Sequence, residues 1–448
     1  MTKLFGTDGV RGIPGTEPLT PATVRRLARL CAKGFLARRP TRDPFCLLGR
    51  DTRGSGPALA RALADGFAAA GVRTVELGVV PTPVVSYLTP RRGALCGVVV
   101  SASHNPPEFN GIKFFTECGR KVSPELEAEV ERGLPRSADP GARRARLERD
   151  GSAAEQYLDF LVSTLPAHED LSGLRVVFDG SNGAASDLGP RLLRRLGCEV
   201  TTLGCRPDGT NINRGCGALE TGLLSRTVAA RKADCGIAVD GDADRCVLAD
   251  ETGRLLDGDA LIALSALHLR DLGLLRGDTV VLTVMSNLGL VDFLRREGIA
   301  SVQVPVGDRN VTEALDQGDF VLGGENSGHV VFRRLAPTGD GLLTALQTLA
   351  AWRARGGLLS GARRLYRTFP QVLLNVRVSR RVPLEKLPTF QSELKRAERS
   401  LKDSGRVFVR YSGTEPLLRI LVEAEDRGMT KELSGRLAAA FKREAEGV

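Results

Sequence analysis

Residues 45–67 read FCLLGRDTRGSGPALARALADGF, and two later stretches follow the same plan, LRVVFDGSNGAASDLGPRLLRRLG at 174–197 and TVVLTVMSNLGLVDFLRREG at 279–298. Each opens with an apolar, strand-like run, passes through a polar or glycine-containing turn, and ends in an Ala- or Leu-rich segment of helical character. A β-branched run then closes each unit: VRTVELGVV, CEVTTLG and ASVQVPVG. Any α/β chain can yield one strand-helix-strand unit; three in one chain predict three similar α/β domains, with mixed sheets between helices. Past Gln371 the plan changes. VLLNVRVS, the alternating RVFVRYSGTEPLLRILVEAE and a terminal helix from Thr430 predict a smaller C-terminal α+β domain whose strands are partly antiparallel. The expected domains are 1–152, 153–255, 256–368 and 369–448, around a central cleft, with linkers at 134–152, 252–259 and 367–371. Thr20 followed by Pro21 marks a helix start, with Val24, Leu27, Leu30, Cys31 and Phe35 on its apolar face.

Composition narrows the class. A chain of 448 residues with 42% hydrophobic content can bury several cores. The amino-terminal MTKLFGTDGVRG lacks a secretory pattern, and no run approaches the roughly 18 apolar residues of a membrane helix, so a cytoplasmic protein with no membrane partner is expected. Nine cysteines without a CxxC pair argue for reduced, packed thiols, with Cys96 and Cys235 in core strands. The net charge of +10 is spread along the chain and only 5% of residues are aromatic, which excludes nucleic acid as the expected partner. Excess positive potential suits a small anionic substrate. The basic GARRARLERD stretch, with Glu148 and Asp150 interleaved, reads as a solvated linker.

Four segments carry candidate chemistry. GVVVSASHNPPEFNGIKFF, 97–115, runs from a buried strand into a small, polar loop where Ser101 and Ser103 are exposed to ligand, with His104 and Asn105 able to hold a phosphate; a capped turn would look similar. In ADCGIAVDGDADRCVLADETG, Asp240, Asp242 and Asp244 stand at alternate positions before Arg245. Carboxylates this dense repel unless a hard cation such as Mg²⁺ joins them, and Arg245 in place of the sixth-position glycine excludes an EF-hand. GGENSGHVVF, if extended, points Glu325, Ser327 and His329 to one side, a set suited to sugar hydroxyls. RYSGTEPLLR offers Arg410, Ser412, Gly413, Thr414 and Arg419 as a phosphate clamp, with a plain Ser-Gly turn as the alternative.

These four segments, in this order and with FGTDGVRG at 5–12, resemble the α-D-phosphohexomutase superfamily over essentially the whole chain. FGTDGVRG, the GGExSGH form and TGDGLLTALQ are similar to the phosphoglucosamine mutases within it rather than to phosphomannomutase/phosphoglucomutase. The resemblance implies a phosphorylated Ser103, one Mg²⁺ held by Asp240, Asp242, Asp244 and a phosphoserine oxygen, and a sugar bisphosphate as intermediate or activator. It implies proton transfer by Lys113, with His329 a second candidate, and Arg11 near the transferring phosphate. Glu325 and Ser327 match the sugar-recognition loop, Asp308 and Arg309 of VGDRNV another substrate-facing loop, and Arg410 to Thr414 the clamp for the phosphate that is not reacting. The implied reaction converts glucosamine 6-phosphate to glucosamine 1-phosphate, for UDP-N-acetylglucosamine and cell-wall precursors, in a homodimer. A metal-dependent phosphatase would share the serine and aspartates but leave the sugar and phosphate loops without a task.

Overall fold

The computed structural model describes residues 4–6, 8–165, 171–412 and 416–445, apart from the side chain of Asp403. The chain divides into two compact units, Met1–Ser286 with Leu294–Leu365, and Asn287–Phe293 with Tyr366–Val448.

The larger unit contains one four-strand plan three times. In the first sheet Arg73–Val79, Phe45–Arg50 and Cys96–Val100 lie side by side in parallel, and Asn110–Phe115 returns antiparallel against the last. The second sheet sets Glu199–Leu203, Arg175–Asp179, Cys235–Val239 and antiparallel Cys246–Ala249 in the same order. The third repeats it with Ala300–Val304, Thr279–Thr283, Leu322–Gly324 and Val330–Phe332. In each case the apolar run of the repeat is a central strand, and it reads as continuously hydrophobic because neither face meets water. Leu47, Val177 and Val281, for example, are fully buried.

The helix Pro21–Arg38 forms as its sequence suggests. Thr20 caps it by accepting from the Thr23 N–H at 3.3 Å, and Val24, Leu27, Cys31 and Phe35 are buried at helical spacing. Cys96 and Cys235 are core residues, and all nine cysteines are free thiols.

Two stretches expected to be linkers are partly strand. Leu147–Arg149 adds an edge strand, parallel to Arg73–Val79, and Leu255–Leu256 pairs with Cys246–Ala249. GARRARLERD is therefore not simply solvated: Asp150 N–H donates to the Glu76 carbonyl at 3.0 Å, and its carboxylate pairs with Arg92. Such short edge strands leave no alternation to read. The smaller unit holds a sheet in the order Gln371–Arg377, Leu417–Ala424, Gly405–Tyr411. Both pairings are antiparallel, so this sheet is wholly rather than partly so.

The repeat decides where chemistry can sit. In all three modules the last parallel strand ends in a loop that leads to the antiparallel strand: 101–109, 240–245 and 325–329. Loops at the carboxyl ends of parallel strands are the usual seats of ligand sites in open α/β sheets.

Candidate active site

Ser103 follows the strand Cys96–Val100 and takes a left-handed backbone conformation (φ 51°), which turns its side chain away from the sheet's pleat. That conformation is held from several sides. Its N–H donates to Ser101 Oγ at 2.9 Å, and Ser101 Oγ donates to Asp51 Oδ2 at 2.6 Å. Arg53, fully buried, binds the loop's carbonyls: Nη2 donates to Ser103 O (3.0 Å) and Asn105 O (2.7 Å), Nη1 to Pro106 O (2.5 Å) and Phe109 O (2.9 Å), and Nε pairs with Asp51 at 2.9 Å. From the second sheet module, Asn213 Nδ2 donates to Ser103 O and Asn105 O at 2.9 and 3.0 Å. At Gly241 an added Cβ would lie 2.5 Å from Ser103 O, so only glycine lets the two loops come this close.

The serine hydroxyl donates to Asp240 Oδ2 at 2.6 Å and lies 3.3 Å from His104 Nδ1. Asp240, Asp242 and Asp244 are all buried, and each offers an oxygen within 4.8 Å of the others. Burial, followed by the charges of Asp244 and Asp242, pushes the Asp240 carboxyl up to about 8. Burial also opposes ionisation of Asp244, yet Lys113 and His329 beside it hold it well below the usual carboxylate range. Asp242 Oδ1 and Asp244 Oδ1 are buried and accept no hydrogen bond. An all-oxygen, strongly anionic donor set with two such orphaned atoms fits Mg²⁺, which prefers a few carboxylates and completes its shell with other oxygens. Thr82 Oγ1 braces this set by donating to Asp242 Oδ2 at 2.6 Å.

Lys113, on Asn110–Phe115, is 1% exposed and places Nζ 2.8 Å from Asp242 Oδ2, 2.9 Å from Asp8 Oδ2 and 3.3 Å from Asp244 Oδ2. Burial would strip its proton, but these carboxylates outweigh burial and hold it as the ammonium, well above the usual lysine value. Its surroundings are thus anionic, and the lowered lysine pKa that neighbouring positive charge would produce does not arise. His104 behaves oppositely: burial, then Arg245 and Arg11, push it down to about 4, so it is neutral at physiological pH.

Arg11 reaches the serine loop, with Nη1 donating to Asn105 Oδ1 at 2.7 Å and Nη2 paired with Asp8. The Arg245 N–H donates to Asp240 Oδ1 at 3.2 Å, and its Nε lies 3.9 Å from Asp244 Oδ1. His329 Nδ1 stands 3.7 Å from Asp244 Oδ1, longer than a hydrogen bond, and Nε2 4.0 Å from Asp308 Oδ2. Burial disfavours its charged form, and Asp244 and then Asp308 raise it above the ordinary histidine value. Gly339 leaves room for this ring, since a Cβ there would lie 2.4 Å from it.

Glu325, Ser327 and His329 do not alternate along an extended strand. Residues 325–329 form a tight turn between Leu322–Gly324 and Val330–Phe332, closed by Gly328 N–H on Glu325 O at 3.0 Å. The turn still gathers polar groups, because Ser327 Oγ donates to Glu325 Oε2 at 3.3 Å and Gly307 N–H to Glu325 Oε1 at 3.0 Å. That second bond ties the GENSGH turn to the VGDRNV loop. Asp308 carries a 2.5 Å ion pair to Lys121, while Arg309 turns to buried Glu127 at 2.5 Å, so its guanidinium is committed to a structural pair.

In the smaller unit Arg410 and Arg419 stand opposite each other on paired antiparallel strands. The Ser412 carbonyl accepts from Arg381 Nη2 at 2.5 Å. Gly413 and Thr414 lie outside the described residues.

Asp51, Arg53, Thr82, Asn213 and Asp8 are site residues that the sequence reading passed over. RDTRG directly after a buried parallel strand was the available signal for the first two.

Family models for phosphoglucomutase/phosphomannomutase match along the chain: alpha/beta/alpha domain I at residues 2–139, domain II at 155–253, domain III at 257–369 and the C-terminal domain at 373–440. The phosphoglucosamine mutase of Symbiobacterium thermophilum is 46% identical, with 100% of both chains covered, and that of Thermobifida fusca 44% identical, with 99% of both covered. A phosphoglucomutase/phosphomannomutase family protein from Burkholderia thailandensis superposes with a TM-score of 0.83 at 24% identity, over 100% of this chain and 99% of that one. The N-acetylphosphoglucosamine mutase of Aspergillus fumigatus, solved with GlcNAc-6P and magnesium, gives 0.69 at 17% identity, over 99% and 96%. At these identities the two structures speak to fold.

Proposed function

The chain belongs to the phosphoglucomutase/phosphomannomutase family, the α-D-phosphohexomutases, and on that premise we propose that it interconverts glucosamine 6-phosphate and glucosamine 1-phosphate through phosphorylated Ser103. It is an isomerase of the phosphotransferase kind, and its full-length relatives at 44–46% identity are phosphoglucosamine mutases. The observation that carries the reading is the 2.6 Å contact between Ser103 Oγ and Asp240 Oδ2 inside a buried trio of aspartates.

The three aspartates and the Ser103 oxygen would hold Mg²⁺, which when bound neutralises charge on the transferring phosphoryl oxygens. In the first half-reaction the C1 hydroxyl of glucosamine 6-phosphate attacks phosphorus on Ser103. The Oγ–P bond breaks, the hydroxyl proton passes to a side chain, and the 1,6-bisphosphate results. After the sugar turns over, Ser103 Oγ takes the 6-phosphoryl group and O6 regains a proton. His329, between Asp244 and Asp308, is the candidate that in its neutral form can take the hydroxyl proton and return it to O6, whereas Lys113, held as the ammonium, can only give a proton, at O6. Arg11 and Arg245 add fixed positive charge that His104, next to Ser103, already feels, and Arg53 with Asp51 and Ser101 fixes Oγ in place. Glu325 and Ser327 would meet sugar hydroxyls, and Arg410, Ser412 and Arg419, with Gly413 and Thr414, the phosphate that is not reacting.

We place the enzyme in the cytoplasm as a homodimer; among the described residues no helix is long and apolar enough to cross a membrane. A substrate panel tests the function: the Mg²⁺-loaded, Ser103-phosphorylated protein should isomerise hexosamine phosphates in preference to glucose or mannose phosphates. Steady release of inorganic phosphate without isomerisation would overturn the mutase reading in favour of a phosphatase.

A further inference from the structure

The strand that carries Lys113 ends at Phe115, and a turn closed by Thr116 N–H on Arg120 O at 2.7 Å brings Lys121 back opposite Phe115 in an antiparallel bridge. Cross-strand partners and residues two apart share a face, so Lys121 and Lys113 project to the same side. One carboxylate serves both: Asp8 Oδ2 lies 2.9 Å from Lys113 Nζ, and Asp8 Oδ1 pairs with Lys121. Lys121 Nζ also lies 2.5 Å from Asp308 Oδ2, at the first residue of helix Asp308–Gly318 in the third module.

The contacts then close on themselves. Asp308 faces His329 at 4.0 Å, His329 faces Asp244 at 3.7 Å, and Asp244 returns to Lys113 at 3.3 Å. Lys113, Asp8, Lys121, Asp308, His329 and Asp244 form a ring of alternating acidic and basic groups drawn from three sheet modules. Arg309 to Glu127 and Arg120 to Asp316 tie the same two modules together, but through carboxylates outside the ring.

We propose that Lys121 is a positioning residue: by bridging Asp8 and Asp308 it holds the Lys113 strand in register with the Asp308–His329 side of the site. Without its charge, two carboxylates would face one another with no cation between them and would separate, carrying Lys113 and His329 out of mutual alignment. A displacement of an ångström at such groups is enough to slow turnover greatly. The effect on turnover rests on the mutase reading, whereas the bridge itself does not.

Lys121→Met and Lys121→Arg separate the two. Lys121→Met should lower kcat for hexosamine phosphate at least tenfold with KM changed less than threefold, and Lys121→Arg, which keeps a cation between the carboxylates, should recover most of the loss. Amide hydrogen exchange in the first turn of helix Asp308–Gly318 should quicken at least tenfold in Lys121→Met and return toward the parent rate in Lys121→Arg. Unchanged exchange, or a kcat within twofold of the parent, would overturn the proposal. If the parent protein fails to isomerise any hexosamine phosphate, the mutase reading falls, and exchange still decides whether Lys121 is the bridge.

Discussion

Replacing Arg53 by lysine keeps a buried positive charge and removes the fork that distributes it. The guanidinium makes five contacts, to Asp51 and to the carbonyls of Ser103, Asn105, Pro106 and Phe109. An ammonium has three N–H groups from a single point, so at least two of those contacts are lost. Asn213 still donates to the Ser103 and Asn105 carbonyls, which leaves Pro106, Phe109 and Asp51 as the groups most exposed to the change. At about 1.5–3 kcal/mol for each hydrogen bond involving a charged group, the loss comes to about 3–6 kcal/mol. It should appear as a lower urea midpoint with an unchanged slope. Because the same bonds fix the backbone of Ser103, turnover should fall at least a hundredfold in protein that is still folded at low urea. A stability loss below about 1 kcal/mol together with near-parental kcat would refute the view that Arg53 shapes the serine loop.

Two further outcomes follow from buried carboxyls. Burial and then its acidic neighbours push the Asp240 carboxyl up to about 8 in the folded protein without metal, against about 4 for an unfolded chain. The folded state thus holds a proton that the unfolded state releases, and stability in chelator falls as pH rises through that interval. Asp240→Asn should flatten this slope and raise the melting temperature near neutral pH while abolishing turnover; an unchanged slope would contradict the assignment. Tyr157 donates to Asp340 Oδ2 at 2.6 Å, and Asp340, pushed up to about 6 by burial, caps helix Gly341–Arg355 by accepting from Leu343 N–H at 3.0 Å. Tyr157→Phe should cost about 1–3 kcal/mol in urea unfolding, with a change below about 0.5 kcal/mol counting against a buried, dependent carboxyl.

Much of this site is visible in the chain before folding, and for a physical reason. Ser103, Asp240 and Glu325 each follow an apolar run that can only be an interior strand, and chemistry gathers where such strands end. Arg53 was not visible, because a buried arginine and a solvated one look alike until the carbonyls it binds, some 50 residues away, are brought to it. Lys121 is hidden in the same way, since Asp8 lies 113 residues from it and Asp308 lies in the third module. The alternation of Glu325, Ser327 and His329 does not reveal the turn at 325–329, because polar side chains alternate in a tight turn as readily as in a strand. Leu147–Arg149 and Leu255–Leu256 are too short for any period to show, and only their hydrogen-bonded neighbours make them strands.

Covalent labelling reaches the centre of the account most directly. The Mg²⁺-loaded protein, exposed to a hexosamine bisphosphate carrying labelled phosphorus, should take the label into the peptide containing Ser103 and pass it on to unlabelled hexosamine phosphate in a chase. Label on another residue, or none on Ser103 while isomerisation proceeds, would contradict it.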